Sequence, residues 1–229
     1  MTLADNHFHT RYSDGNNTLR EMVETALSLG YKKITVTDHV NVRSDWIPGY
    51  IKEGRELKKE YAGRIDISIG VEAKITGPDG SIDFDPQYRD GIDWVLAAVH
   101  RIPAGAGKYI RRSELNDENA AAAFSLFRTS SLNALENPLV DIIAHPFDLS
   151  GNPFLRKHWD ESFAAGLREA SIKNNKYIEY NAGKSNACVH PGYWQYKGMR
   201  VWIGSDSHSA EDMRRRYPEI ARITSYIGC

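Results

Sequence analysis

Two short pairs of ligand-type residues stand near opposite ends of this chain: His7-Phe8-His9 and Asp206-Ser207-His208. Side chains at i and i+2 on a strand project to the same side, so each pair can offer two ligand atoms to one ion. Between them lie Asp14, His39, Glu72, His100 and His145, and all but Asp14 close an apolar or β-branched run. Imidazole nitrogens mixed with carboxylate oxygens suit Zn, Mn or Fe, whereas all-oxygen sets suit Mg and Ca. His7, His9, Asp14, His39, Glu72, His100, His145, Asp206 and His208 make nine candidates, against roughly four ligands for one tetrahedral ion. Two to three divalent transition metals are therefore expected. Taken singly, each residue has a plainer reading: Ser13-Asp14-Gly15-Asn16 is good turn chemistry, and Glu72 alone could be a solvated acid. Their shared place at the ends of successive runs argues for ligation.

The elements that must position these residues are legible as β-type runs at Thr2–His9, Lys33–His39, Ile65–Glu72, Asp93–His100, Val140–His145, Tyr177–Asn181 and Arg200–Ser205. Several are almost continuously apolar or β-branched, the pattern of strands buried on both faces of a parallel sheet. Helical stretches intervene. Thr18-Leu-Arg-Glu21 is a capping-box start for a helix that ends at Gly30. Further helices are expected over Ile51–Tyr61, Asn116–Asn133 and Glu161–Asn174, and Pro78-Asp79-Gly80 predicts a small hairpin within Thr76–Pro86. The chain is thus expected to be α/β, a distorted (β/α)7 barrel with parallel strands forming one domain over residues 1–229. A doubly wound open sheet is the alternative, but no G-x-G-x-x-G follows the first run. In a parallel barrel all strand C-termini open on one face, so residues two hundred positions apart would meet in one pocket.

These residues resemble the PHP (polymerase and histidinol phosphatase) family. The likeness rests on His7-Phe-His9-Thr, Ser13-Asp14-Gly15, Thr37-Asp38-His39, Gly70-Val-Glu72, Val99-His100, Ala144-His145-Pro146 and Gly204-Ser-Asp206-Ser-His208, in order from residue 7 to residue 208. The resemblance implies a trinuclear site: one ion held by His7, His9, Glu72 and Asp206, a second by Asp14, His39 and His208, and a third by Glu72, His100 and His145. Some family members carry histidine at the position of Asp14. The activity implied is hydrolysis of a small phosphomonoester, histidinol-phosphatase-like, by a metal-activated hydroxide. Ions roughly 3.5–4 Å apart can clamp a phosphoryl group, and metal coordination lowers the pKa of water from about 15.7 to about 7. Fixed cations should flank the developing charge. Arg101 beside His100, Lys184 in Asn181-Ala-Gly-Lys184, and Arg112 in preference to Arg111 are the candidates, and Asn181 could hydrogen-bond substrate or a ligand. Arg214-Arg215-Arg216 reads as a solvated helix face and His158 as a surface residue, while His190 is a weaker candidate for substrate contact.

Composition narrows the partners. The 229 residues are 41% hydrophobic and 26% charged with a formal net charge of −1, which disfavours extended nucleic acid or an anionic membrane as a partner. No basic stretch followed by an apolar run opens the chain, and no apolar run reaches membrane-spanning length, so a cytoplasmic protein with a small phosphorylated substrate is expected. Cys188 and Cys229 match no zinc motif, and a reduced state is the simpler reading. Rival functions are a nucleotide or oligonucleotide phosphatase or phosphodiesterase, a metal-stabilised non-catalytic module, and an amide or lactone hydrolase, although the metal-bridging lysine of such hydrolases has no evident counterpart. The loops Trp46–Gly49 and Trp194–Tyr196 are expected to shape the pocket without naming a leaving group.

Overall fold

A computed structural model describes residues 2–184, 186 and 188–228; Cys229 lies outside them. Each expected run carries a parallel strand: β1 (Ala4–Asp5), β2 (Lys33–Val36) with its continuation β3 (His39–Val40), β4 (Asp66–Lys74), β5 (Trp94–Ala98), β8 (Ile142–Ile143), β9 (Tyr177–Asn181) and β10 (Arg200–Gly204). They follow the order β1-β2-β4-β5-β8-β9-β10, with β3 on the C-terminal half of β4. The ends of the sheet meet: Asn6 N donates to Ile203 O at 3.0 Å, Asp206 N to His7 O at 2.7 Å and His9 N to Ser207 O at 2.8 Å. The result is a distorted seven-stranded barrel.

Alternation along the strands builds two apolar layers. On β5, Val95 and Ala97 join the main core under the helices, while Leu96 and Ala98 join Ile142, Ala144 and Trp202 in a separate cluster. By register, Glu72 lies beside Leu96 and Glu179 beside Trp202, so these carboxylates share the face of that inner cluster. Trp94, Tyr177 and Trp202 pack with ring centroids 4.9–5.6 Å apart near the strand starts, leaving the opposite end for polar residues.

Helix α1 (Leu19–Ser28) starts with the expected reciprocal cap, Thr18 N to Glu21 Oε2 at 2.8 Å and Glu21 N to Thr18 Oγ1 at 3.3 Å, and Gly30 takes a φ of 84°. Helix α2 (Ile47–Glu60) begins four residues before the expected start because Pro48 fits its first turn. Helix α3 (Ala120–Ala134) begins later than Asn116, whose side chain instead accepts from Glu118 N and Asn119 N in a turn. The short α4 (Pro153–Arg156) and α5 (Glu161–Lys173) follow β8, and α6 (Ala210–Gly228) carries Arg214–Arg216. The Pro78–Gly80 turn is present, closed by an antiparallel bridge between Ile75 and Ile82. Sequence reading missed one hairpin, β6 (Ile102–Gly105) with β7 (Lys108–Ile110), which directly follows His100. No helix among the described residues is long and apolar enough to cross a membrane.

Candidate metal centre

All nine histidines and acids singled out above converge at the C-terminal mouth of the barrel. Glu72, fully buried at the end of the inner face of β4, is the hub. Its Oε1 lies 2.9 Å from His145 Nε2 and 3.2 Å from His100 Nε2; its Oε2 lies 2.8 Å from His39 Nδ1, 3.5 Å from His7 Nε2 and 3.6 Å from His9 Nε2. Asp206 Oδ1 stands 3.0 Å from His9 Nε2 and 3.7 Å from His7 Nε2. Asp14, half exposed on its loop, reaches 3.3 Å from His208 Nε2 and 3.6 Å from His39 Nε2. Three groupings have ligand atoms mutually close enough for an ion: His7, His9 and Glu72; His9, Asp14, His39 and His208; and His39, Glu72 and His100.

The backbone bends to bring this about. Strands β1 and β8 end well before their histidines, and His145 and Asp206 take left-handed φ values of 29° and 55°. Non-glycine residues rarely adopt that region, and where they do the strain commonly accompanies a functional constraint. Gly204 permits the crowding: a Cβ there would lie 2.3 Å from His7 Cβ and 2.6 Å from Glu179 Oε1.

Two acids that sequence reading did not count among the ligand candidates complete the arrangement. Glu179 sits on the inner face of β9, fully buried, and accepts from His7 Nδ1 at 2.7 Å. Asp38, also fully buried, accepts from Thr10 N, Thr10 Oγ1, Ser13 N and Ser13 Oγ at 2.6–3.1 Å, and so pins the loop that presents Asp14. The available signal was a charged residue inside an otherwise buried strand, since an acid is almost never fully buried without partners. His208 Nδ1 donates to the Asp206 carbonyl at 3.0 Å. Acceptors on Nδ1 of His7 and His208 leave Nε2 of both rings free as ligand atoms.

Electrostatics point the same way. Burial opposes charge on Glu72 and Asp206, but the surrounding imidazoles win and hold both carboxyl groups well below their ordinary range. Burial also opposes a charged His7, yet Glu179 and Glu72 outweigh it and raise its pKa. His9 goes the other way: burial pushes it down to about 4. An ionised carboxylate hub amid imidazoles with differing proton affinities is the donor set a divalent transition metal needs. Two buried atoms suit a metal as partner: His9 Nδ1 and Glu72 Oε2 make no well-formed hydrogen bond, although Oε2 lies 2.8 Å from His39 Nδ1. His7 Nε2 and His9 Nε2 also face each other at 3.2 Å, close to the roughly 3.3 Å edge of a tetrahedron with metal–nitrogen bonds of about 2.0–2.1 Å.

The cations fall out differently. Arg101 is exposed and, among the described residues, has no ion-pair or hydrogen-bond partner. Lys184 lies 3.0 Å from Asp206 Oδ2, and that acid overcomes burial to raise its pKa. Arg112, expected as a candidate phosphate clamp, forms an ion pair with Asp148. Asn181 is fully buried, donating to Glu179 Oε1 at 3.2 Å and accepting from Gly183 N at 2.8 Å. His190 accepts from Gly192 N and caps the turn at Pro191–Gln195. His158 is half-buried on the loop after α4.

Beside the cluster opens a cleft of about 740 Å³ with His39, Glu72 and His100 at its base and Arg43, Trp46 and Lys74 on its walls. A second cavity of about 450 Å³ is lined by Tyr180, Asn181, Lys184, Trp194 and Tyr226. The two loops expected to shape the pocket thus supply Trp46 to one cavity and Trp194 to the other.

A profile of the PHP domain matches residues 5–183. The chain belongs to the PHP family. A relative named a probable phosphatase from Caldanaerobacter subterraneus is 28% identical over 236 residues, covering 99% of this chain and 84% of that protein. The DNA polymerase/3'-5' exonuclease PolX of Bacillus subtilis is 28% identical over 218 residues, covering 91% of this chain but only 34% of the longer protein. Among solved structures, histidinol phosphate phosphatase from Lactococcus lactis, complexed with zinc, L-histidinol and phosphate, superposes with a TM-score of 0.63 at 18% identity, over 96% of this chain and 94% of the other. That likeness is one of fold.

Proposed function

We propose that this PHP-family chain is a metal-dependent hydrolase of a small phosphomonoester, histidinol phosphate or a compound of that size and charge. The observation that carries the reading is the convergence of nine ligand-type side chains on Glu72 at the barrel mouth, beside a cleft wide enough for a small organic phosphate. His7, His9, Glu72 and Asp206 would hold one ion, Asp14, His39 and His208 a second, and Glu72, His100 and His145 a third, with His9 and His39 close enough to be shared between neighbours. Zn, Mn or Fe bound there would supply Lewis acidity and hydroxide at neutral pH.

The protein's own groups do the rest. Arg101, next to His100 and without a partner among the described residues, can offer a planar fork to phosphoryl oxygens. Lys184 holds its ammonium against Asp206 at the rim, where a phosphate can share it. Apolar side chains of Leu96, Ala98, Ile142, Ala144 and Trp202 form a separate buried cluster on the face of the sheet that carries Glu72. Support for a phosphomonoester comes from relatives of similar length called probable phosphatases and from the zinc-containing histidinol phosphate phosphatase that shares the fold.

The test is a panel of phosphomonoesters, including histidinol phosphate and nucleotides, with phosphodiesters alongside, offered to protein reconstituted with Zn, Mn or Fe. Turnover confined to monoesters, abolished by chelation, is the expected result. Preference for diesters or oligonucleotides would replace this reading, and no turnover with any metal would leave the fold without the activity.

A further inference from the structure

Glu179, like Asp38, is a fully buried carboxylate at the barrel mouth that belongs, among the described residues, to none of the groupings able to hold an ion; unlike Asp38, it touches two of the candidate ligand histidines. Both of its oxygens are committed. Oε1 accepts from His7 Nδ1 at 2.7 Å and from Asn181 Nδ2 at 3.2 Å, and Oε2 accepts from the backbone N of His145 at 2.6 Å. Those two histidines belong to different ion positions in the proposed centre, and His145 has the least relaxed backbone of the set, with φ of 29°. Glu179 and Asn181, two residues apart on β9, face the same side, and Asn181 is in register with Gly204 on β10. The missing Cβ of Gly204 leaves the room in which Glu179 and His7 meet.

We propose that Glu179 is a positioning residue that selects the Nδ1–H tautomer of His7 and anchors the His145 backbone, so that one carboxylate orients ligands for two ions. The inference rests on the metal-dependent reading above. Every partner of Glu179 is a donor, which is why a carboxylate is required. Glutamine, of nearly equal size, has one acceptor oxygen and one donor nitrogen. The backbone N–H of His145 has no second form, whereas an imidazole has two. The oxygen of a glutamine therefore settles on His145 N, and its NH2 group faces His7 Nδ1. His7 then carries its proton on Nε2, the atom that should bind metal. Loss of such a partner typically weakens metal affinity about 10- to 100-fold.

The experiment compares wild type with Glu179→Gln, each stripped of metal, by calorimetric titration with Zn²⁺ alone and by 15N NMR of labelled histidine. The expected result is native circular dichroism for both, one zinc ion bound about 10- to 100-fold more weakly by the variant, and, at a pH high enough for the imidazoles to be neutral, one histidine switching from Nδ1–H to Nε2–H. A variant with a lower melting temperature but unaltered zinc affinities and tautomers would show Glu179 to be merely structural and overturn the inference alone. Wild type that binds no zinc would overturn the metal reading and the inference with it. Should Glu179→Gln not fold, Glu179→Asp keeps both acceptors and the charge at shorter reach. Weaker binding of one ion by that variant supports the role, and unchanged binding refutes it.

Discussion

Asp38 offers a test of how the loop bearing Asp14 is held. Its carboxylate is fully buried and accepts four hydrogen bonds, two each from Thr10 and Ser13. Burial pushes its pKa up, and the hydrogen bonds only partly pull it back, so the residue is retained at some cost in desolvation. In Asp38→Ala the Thr10 amide and hydroxyl remain fully buried without an acceptor, while half-buried Ser13 can turn to water. Two orphans at roughly 1–3 kcal/mol each, less the relief of no longer burying a carboxylate, give a loss of about 2–4 kcal/mol. For a chain of this size that is a fall of roughly 5–15 °C in melting temperature. Asp38→Asn behaves differently. Its oxygen keeps the bonds made to Oδ1, its NH2 group can donate to a rotated Thr10 hydroxyl, and the loss should stay under about 1 kcal/mol. The assay is thermal unfolding of both variants without metal, followed by zinc stoichiometry on the folded proteins. The alanine variant should also lose the ion nearest Asp14. Equal melting temperatures for the two variants would refute the reasoning, because it depends on acceptors rather than on charge.

Three further outcomes follow from the site. Elemental analysis of protein purified without chelator should return two to three Zn, Mn or Fe per chain, and one or fewer would remove the polynuclear centre. His9→Ala or Asp206→Ala should abolish phosphomonoesterase turnover, whereas His158→Ala, away from the cluster, should stay near wild type; equal losses at all three positions would mean the wrong histidines have been chosen. Arg101→Lys should lower kcat/KM by about 10- to 1,000-fold through loss of a bidentate fork. Since Arg101 has no partner to release among the described residues, the variant's metal content and melting temperature should not move, and unchanged kinetics would pass the clamp role to Lys184.

Local pattern carried the sequence reading a long way. Apolar runs buried on both faces, a capping box at Thr18 and a Pro-Asp-Gly turn are decided by neighbours within a few residues, so the parallel strands, the start of α1 and the Ile75–Ile82 turn could be read directly. The placement of histidines and acids at run ends was legible for the same reason, because a strand's direction determines which end its last residue marks. What the linear pattern could not hold is anything settled by a partner far along the chain. The tautomer of His7 depends on Glu179, 172 positions away. The availability of Arg112 depends on Asp148, and that of Lys184 on Asp206. The left-handed turns at His145 and Asp206 break strands whose composition would let them continue. Propensity and periodicity are sums over adjacent residues, whereas the charge, tautomer and reach of a buried side chain are set by whatever the barrel's closure brings against it.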